Sequence, residues 1–325
     1  MTAPAPGPST SDTETGQAAD PPHFRRVAII GIGLIGSSVA RAVKRYNLAD
    51  DIVCNDINPA YRDEAEALGL VSRAHAAPED AVKGADLVIF CSPVGSYGAL
   101  AEAIAGALEP GAILTDVGSV KAAVVTAVEP HVPEGVHFIP GHPVAGTEQS
   151  GPEAGFPGLF QNRWCILTPR DDVDPAALAR LKAFWQAMGA NVEVMNPGHH
   201  DLVLAITSHV PHLIAYNIVG TAADLETVTQ SEVIKYSAGG FRDFTRIAAS
   251  DPTMWRDVFL NNRDAVLEML GRFVEDLTAL QRAIRWGDAE TLMALFTRTR
   301  AIRRSIVEAG QESPAPDFGR THGGE

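Results

Sequence analysis

Cysteine, aromatic residues and positive charge are all scarce in this chain of 325 residues. The three cysteines, Cys54, Cys91 and Cys165, are widely spaced, which predicts buried free thiols in a reducing compartment and excludes a disulfide framework. Lysine and arginine number 26 against 40 acidic residues, so the net charge is −14. That balance argues against nucleic acid or an anionic membrane as a partner. An anionic substrate would need a local cluster of cations.

Long apolar runs and a basic leader are also missing. No segment has the ~20 uninterrupted apolar residues that a membrane helix requires. The N-terminal segment MTAPAPGPSTSDTETGQAADPP has neither a basic nor an apolar stretch, so we expect a cytoplasmic protein without a membrane partner. Residues 1–23 are predicted to be a disordered tail because proline, serine, threonine and alanine dominate them, and residues 311–325 a loose one.

The chain does have a hydrophobic fraction of 46% with 20% charged residues, which is typical of a soluble globular protein. Short apolar runs alternate with helical stretches from residue 25 to about residue 166. This alternation predicts an α/β fold with a Rossmann-type, doubly wound parallel sheet. The predicted strands are 25–31, 51–56, 85–92, 111–117 and 136–141, with helices at 36–46, 60–68, 97–107, 119–128 and 175–188. WCILTP (164–169) and ANVEVMN (190–196) are expected to extend the same sheet.

After Pro197 the strand signals stop, and long helices are predicted at 200–225 and 253–285. We therefore expect a dinucleotide-binding domain over residues 24–197 and an all-helical domain over residues 198–310. A helical part of this size must bury a broad apolar face, and a second copy of the chain could cover it. A homodimer through the helical domain is the expected assembly.

The segment GIGLIG follows the apolar run VAII directly and opens a predicted helix. In such a motif Gly31 allows the tight turn, Gly33 lets the backbone approach a pyrophosphate, and Gly36 permits close packing of helix on strand. The amides of Leu34 and Ile35 at the helix start are expected to face the phosphates. The context predicts a dinucleotide site.

Asp56 stands at the end of the second predicted strand, where an acidic side chain would bond a ribose 2′-hydroxyl. Its carboxylate would repel a 2′-phosphate, so NAD is the predicted cofactor, although Arg62 could soften that preference. Two more strand ends are expected to line the cofactor, through Ser92 and Pro93 in one case and through Ser119 in the other. Ser119 could also cap the following helix.

His142 lies in GHPVAGTEQSG, just after a short predicted strand. Ligands of open α/β sheets bind outside the carboxyl ends of the strands, so His142 could meet a nicotinamide ring and its reaction partner. Gly141 and Gly146 would clear space around it. The alternative is a histidine that only caps a turn.

The helical half carries a second polar group of candidates. His209 and His212 share one helix face in TSHVPH, and Pro211 is predicted to kink that helix. They could also be satisfied core histidines. No metal site is predicted, because only Asp201 lies at a helical interval as a third ligand. Arg246 lies in an apolar context in which its guanidinium could clamp a carboxylate, although a surface ion pair is the alternative.

The segments VAIIGIGLIGSS, TDVGSVK, GHPVAGTEQSG, SHVPH and GFRDFTRIAASDPTMWRD resemble the prephenate/arogenate (cyclohexadienyl) dehydrogenase family of tyrosine biosynthesis, in the family's order. The resemblance implies NAD-dependent oxidative decarboxylation of prephenate or arogenate, or both, to 4-hydroxyphenylpyruvate or tyrosine. It implies that His142 accepts the proton of the C4 hydroxyl while hydride leaves C4, with Ser119 near that hydroxyl.

By the same resemblance, Arg246 holds a substrate carboxylate and His212 lines the substrate pocket. The remaining implied site residues are three members of a gating ion network and one aromatic wall, namely Glu148, Asp201, Asp243 and Trp255. Neither the tyrosine-sensing domain nor the chorismate mutase of some family members is recognised in the chain. Tyrosine is therefore expected to inhibit competitively with substrate or not at all.

Two other functions stay open from the residues alone. One is a β-hydroxyacid or imine-type dehydrogenase of similar two-domain build, which would use a catalytic lysine on a helix of its second domain. Lys235 is the single lysine after Pro197. The other is a non-catalytic NAD-binding module.

Overall fold

A computed structural model of the chain describes residues 22–224 and 238–308. The predicted tails lie outside these residues apart from Pro22 and His23, and so does Lys235. The described residues fall into two compact units that divide between Arg263 and Asp264. All candidate site residues belong to the first unit.

A six-stranded, all-parallel sheet forms the centre of this unit, in the order β3-β2-β1-β4-β5-β6. This arrangement confirms the predicted Rossmann-type sheet. The third strand was not predicted, because its sequence RAH has no apolar run. The strands are β1 (Phe24–Ile30), β2 (Ala49–Asn55), β3 (Arg73–His75), β4 (Leu87–Phe90), β5 (Ile113–Asp116) and β6 (His137–Phe138).

The apolar run of β1 is continuous because both faces of the sheet are covered. Val27 and Ile29 pack into one apolar cluster with Trp185, whereas Ala28 and Ile30 pack into a second cluster on the other face. The helices of this part are α1 (Leu34–Arg45), α2 (Pro59–Ala67), α3 (Pro78–Val82), α4 (Tyr97–Ile104), α5 (Ala122–Val128) and α6 (Pro175–Ala187).

The expectation that WCILTP and ANVEVMN extend the main sheet is wrong. They form a second sheet of three strands, β7 (Gly141–Pro143), β8 (Trp164–Leu167) and β9 (Asn191–Val194), in which β7 pairs antiparallel with β8 and β8 parallel with β9. The backbone of Gly141 cannot continue the ladder beside β5. Its N–H donates to Asp116 and its carbonyl accepts from Lys121, so side chains fill that edge.

The helical part begins with α7 (Pro197–Leu204), a π-helical turn (Ala205–His209) and α8 (Val210–Asp224), which follow one another without a break. The π turn comes just before Pro211, which has no N–H to donate to the preceding turn. By length and composition the run Pro197–Asp224 could cross a bilayer, but a core helix of a soluble protein passes the same test. Its buried residues include His200, Asp201 and His209.

The predicted helix 253–285 is two helices, α10 (Pro252–Asn261) and α11 (Arg263–Trp286), which break at Asn262. At the break, the buried side-chain amide of Asn262 bonds the backbone carbonyl of Asp201 at 2.9 Å and Nδ1 of His209 at 3.0 Å. Helix α9 (Gly239–Thr245) precedes these helices and α12 (Ala289–Glu308) follows them.

Candidate active site

Three strand ends lie side by side at the carboxyl edge of the main sheet. In the strand register Ile30 pairs with Phe90, and Phe90 pairs with Asp116. The residues that follow these strands are therefore neighbours. The loops after β1 and β4 are in close contact, since a Cβ added to Gly31 would lie only 2.6 Å from the backbone nitrogen of Ser92. The predicted cofactor loops meet at this edge.

The glycine loop has the geometry of a pyrophosphate cradle. Gly31 has a φ of +99°, and Gly36 is packed so closely on the carbonyl of Gly31 that no side chain would fit. At Gly33 an added Cβ would meet nothing within 4 Å, so that side of the loop is open. The first backbone bond within α1 runs from Ser37 N to Gly33 O, which leaves the amides of Leu34 and Ile35 free for an anion.

Asp56 follows β2 beside this loop. Its carboxylate accepts hydrogen bonds from Ile32 N and from Asn58 N, both at 2.9 Å, and is thereby fixed in orientation. The guanidinium of Arg62 donates to the carbonyls of Asp56 and Ile57 at 2.6 and 3.3 Å. An oriented carboxylate with the nearby cation engaged elsewhere fits a ribose diol better than a 2′-phosphate.

The other two loops place Ser92, Pro93 and Ser119 at the same edge. The Ser92 hydroxyl bonds the Ser96 hydroxyl at 2.8 Å. The suggestion that Ser119 caps the next helix is wrong, since α5 begins at Ala122. The carboxylate of Asp201 bonds its first amides instead, with Oδ1 accepting from Lys121 N at 2.7 Å and Oδ2 from Ala122 N at 2.9 Å.

A fully buried ion pair supports this region, and the sequence reasoning missed it. Lys121 donates to Asp116 and, at 2.6 Å, to the carbonyl of Gly141. Asp116 also accepts from Gly118 N at 2.8 Å and Gly141 N at 3.1 Å. Burial raises the pKa of Asp116 and lowers the pKa of Lys121, and each partner's charge opposes that shift. The pair fixes the start of β7, on which His142 lies.

His142 is 7% exposed and begins a chain of hydrogen bonds. Its Nδ1 lies 2.8 Å from Nε2 of His200, and Nδ1 of His200 lies 2.8 Å from Oδ1 of Asp201. Within residues 22–224 and 238–308, Nε2 of His142 has no hydrogen-bond partner. His200 is a further residue of this site that sequence reasoning missed, because nothing in the segment HHD (199–201) links it to a histidine 58 positions earlier.

Burial keeps these imidazoles neutral. It holds the pKa of His142 well below the ordinary histidine range, and the neighbouring His200 and the Lys121 cation lower it further. Burial likewise lowers the pKa of His200, although Asp201 opposes the shift. His209, which bonds Asn262, has its pKa lowered by burial to about 4. A neutral imidazole is what a general base requires.

The two residues predicted to line the substrate pocket, His212 and Trp255, are in contact. The ring of His212 stacks on Trp255, with centroids 3.7 Å apart, and its Nδ1 bonds the carbonyl of Ser208 at 2.8 Å. Trp255 packs into the same apolar cluster as Phe90 of β4, which brings this wall to the cofactor edge. Burial lowers the pKa of His212, and the charge of Arg246 adds to that shift.

The structure brings only some of the predicted charged site residues into contact with one another. Arg246 donates to Glu148 at 3.2 Å, and both side chains are half-buried. Asp201 is bonded to His200 and to backbone amides instead. Asp243 is exposed, and its ion-pair contact is with Arg242 at 3.9 Å. Among the described residues, no group of three or more His, Cys, Asp or Glu side chains could hold a metal ion.

Comparison with known proteins places this geometry in a family. The family model for the prephenate dehydrogenase nucleotide-binding domain matches residues 39–194, and that for the prephenate dehydrogenase dimerization domain matches residues 196–298. The chain belongs to the prephenate dehydrogenase family. The resemblance drawn from the motifs is thereby confirmed. Because the first match begins after the glycine loop, the shape of that loop is separate support for a dinucleotide site.

Individual members of the family are similar in sequence to this chain over most of its length. A cyclohexadienyl dehydrogenase of Zymomonas mobilis is 41% identical over 283 residues, which are 87% of this chain and 96% of that protein. A prephenate dehydrogenase of Bacillus subtilis is 34% identical, over 90% of this chain and 78% of that protein.

A solved structure agrees as well. The A. aeolicus prephenate dehydrogenase, in complex with hydroxyphenyl propionate and NAD⁺, is 35% identical and has a TM-score of 0.81. The match covers 87% of this chain and 98% of that one. The fold class, the enzyme class and the cofactor are confirmed. The chain is an NAD-dependent dehydrogenase of this family.

Proposed function

We propose that the chain oxidatively decarboxylates prephenate, arogenate or both, as a step of tyrosine biosynthesis. One observation carries the proposal: His142, buried and backed by His200 and Asp201, directly follows Gly141, whose amide bonds Asp116 at the end of β5. The names of the similar proteins support this substrate class.

The residues divide the chemistry between them. When bound, NAD⁺ supplies the hydride acceptor. His142 Nε2 takes the proton of the C4 hydroxyl as the hydride leaves C4, and Ser119 assists at the same hydroxyl. The bond from C1 to the carboxyl group then breaks, and its electron pair enters the ring, which becomes aromatic as carbon dioxide departs. The C4 oxygen is left as a phenolate, takes back a proton and becomes the phenol oxygen of the product.

Arg246 and the aromatic wall bind the substrate. Arg246 holds a substrate carboxylate, which replaces Glu148 as the partner of the guanidinium. Asp243 lies near this position along the chain and stays a proposed member of the gating network. His212 and Trp255 form the wall of the pocket. Arg246 supplies a local positive charge within a protein whose net charge of −14 would otherwise repel an anionic substrate.

On the cofactor side, Gly31, Gly33, Gly36 and the amides of Leu34 and Ile35 hold the pyrophosphate, and Asp56 holds the ribose. Ser92 and Pro93 line the cofactor. We also propose a cytoplasmic homodimer, supported by the match to a dimerization domain over residues 196–298. The proposed domain limits are residues 24–197 and 198–310.

The test is to incubate the purified protein with NAD⁺ and either prephenate or arogenate, to follow the absorbance of reduced cofactor, and to identify the product. Formation of 4-hydroxyphenylpyruvate or tyrosine is the expected result. Turnover of β-hydroxyacids alone would support the alternative dehydrogenase. Tight NAD⁺ binding without turnover of any of these compounds would overturn the proposal in favour of a binding module.

A further inference from the structure

We propose that His200 and Asp201 are positioning residues, which hold His142 in the one neutral tautomer whose Nε2 carries a lone pair. A general base must present a lone pair to the proton that it abstracts, so this tautomer decides whether His142 can act. The identity of the alcohol rests on the proposed function above, but the tautomer itself does not.

Asp201, at one end of the hydrogen-bonded chain, is 5% exposed. Its carboxylate already accepts hydrogen bonds from the amides of Lys121 and Ala122. An ionised carboxylate can only accept, so Nδ1 of His200, 2.8 Å from Oδ1, must carry a proton and donate it.

The position of the proton on His200 in turn determines the position of the proton on His142. A neutral imidazole has one donor and one acceptor nitrogen, so Nε2 of His200 is an acceptor once Nδ1 donates. It lies 2.8 Å from Nδ1 of His142, which must therefore carry the proton of that ring. The lone pair of His142 is left on Nε2, the atom without a hydrogen-bond partner among the described residues.

A proton added to His200 would reverse the arrangement. Nε2 of His200 would then donate to Nδ1 of His142, and the proton of His142 would move to Nε2, where it blocks the base. Three other groups face the pair, namely Lys121, Asp116 and His209. Burial of His200 and the nearby Lys121 cation disfavour the protonated state, whereas Asp201 and Asp116 favour it. The low-pH limb of the rate should therefore report one proton shared by the two histidines.

The primary test reads the tautomer without any substrate. The full chain is labelled with ¹⁵N-histidine, and long-range proton–nitrogen NMR spectra are recorded at pH 7 and 8. The signals of His142 are assigned by their loss in His142→Asn. A protonated Nδ1 and an unprotonated Nε2 are the expected result. A protonated Nε2 in the wild type would overturn the proposal, whatever the protein proves to catalyse.

The second test uses variants of the relay. His200→Leu removes the acceptor at similar volume and should lower kcat by roughly 10- to 100-fold with little change in KM, by analogy with the loss of groups that orient metal-bound imidazoles. His200→Gln can present a carbonyl oxygen to Nδ1 of His142 and should restore part of the rate. His199→Leu is the matched control, because His199 is exposed on the same helix.

These outcomes separate the two proposals. A kcat within threefold of wild type in folded His200→Leu would overturn the positioning role. If His200→Leu fails to fold, the NMR result on the wild type decides. If the wild type turns over neither prephenate nor arogenate, the proposed function fails, while the tautomer measurement still tests this inference.

Discussion

Removing the Lys121 ammonium group should destabilise the protein strongly, because its partner Asp116 would be left as an uncompensated buried charge. Both side chains are 0% exposed. Lys121→Met keeps a flexible side chain of similar length and leaves the carboxylate with the amides of Gly118 and Gly141. The carbonyl of Gly141 would also lose its bond to Nζ.

Breaking one side of a buried ion pair typically costs about 3–5 kcal/mol. For a cooperative unit of 150–250 residues each kcal/mol corresponds to about 2–4 °C, so Tm should fall by roughly 6–20 °C. Desolvation already opposes the pair, since burial raises the pKa of Asp116 and lowers the pKa of Lys121. The net contribution of the intact pair to stability is therefore expected to be smaller than the cost of removing one partner.

The assay is urea and thermal denaturation of Lys121→Met, Asp116→Asn and the double variant. The double variant should be less destabilised than the sum of the two single variants, by at least about 1 kcal/mol, because the partners are in contact. Lys83→Met is the control, since Lys83 and Asp80 form an exposed ion pair at 2.7 Å, and exposed ion pairs contribute little to stability. If Lys121→Met loses no more stability than Lys83→Met, the reasoning about the buried charge is refuted.

Three further predictions concern binding and pH. Asp56→Ser should reduce the preference for NAD⁺ over NADP⁺ in steady-state assays, and an unchanged ratio would show that Asp56 does not read the ribose. Arg246→Gln should raise KM for the substrate by roughly 10- to 100-fold through loss of a charged hydrogen bond; an unchanged KM would remove Arg246 from the site. The free energy of unfolding should fall as pH drops from 6.5 towards 4, because the pKa of His209 is about 4 when folded and 6.5 when unfolded. Between these pH values His209 is protonated in the unfolded chain but not in the folded protein, so it alone should lower the free energy of unfolding by about 3 kcal/mol. A free energy of unfolding from urea titrations that stays flat across this window would contradict the shift.

Much of the nucleotide-binding part could be predicted because its signals are local. The run VAII before GIGLIG, and an acid at the end of the next strand, fix the positions of Gly31 and Asp56 within one β-α-β unit. The strand-like character of WCIL and NVEV was also local. Which sheet they join was not, because it depends on how Asp116 and Lys121 occupy the backbone of Gly141.

The residues that support His142 could not be found in this way. Lys121 lies in a motif that was recognised, but a lysine is almost always solvated, and no sequence pattern marks it as fully buried. His200 lies in a helix and Asn262 at a break between two helices, both far along the chain, and their contacts arise only when those helices pack. The break at Asn262 had no glycine or proline to signal it.

The role of His142 is tested most directly by single-turnover formation of NADH by wild type and by His142→Asn, with saturating NAD⁺ and prephenate or arogenate. We expect the variant to be slower by roughly 10²–10⁴-fold, the range of a positioned general base, with substrate binding little changed. A variant that forms NADH at the wild-type rate would contradict the claim that the imidazole of His142 accepts the proton.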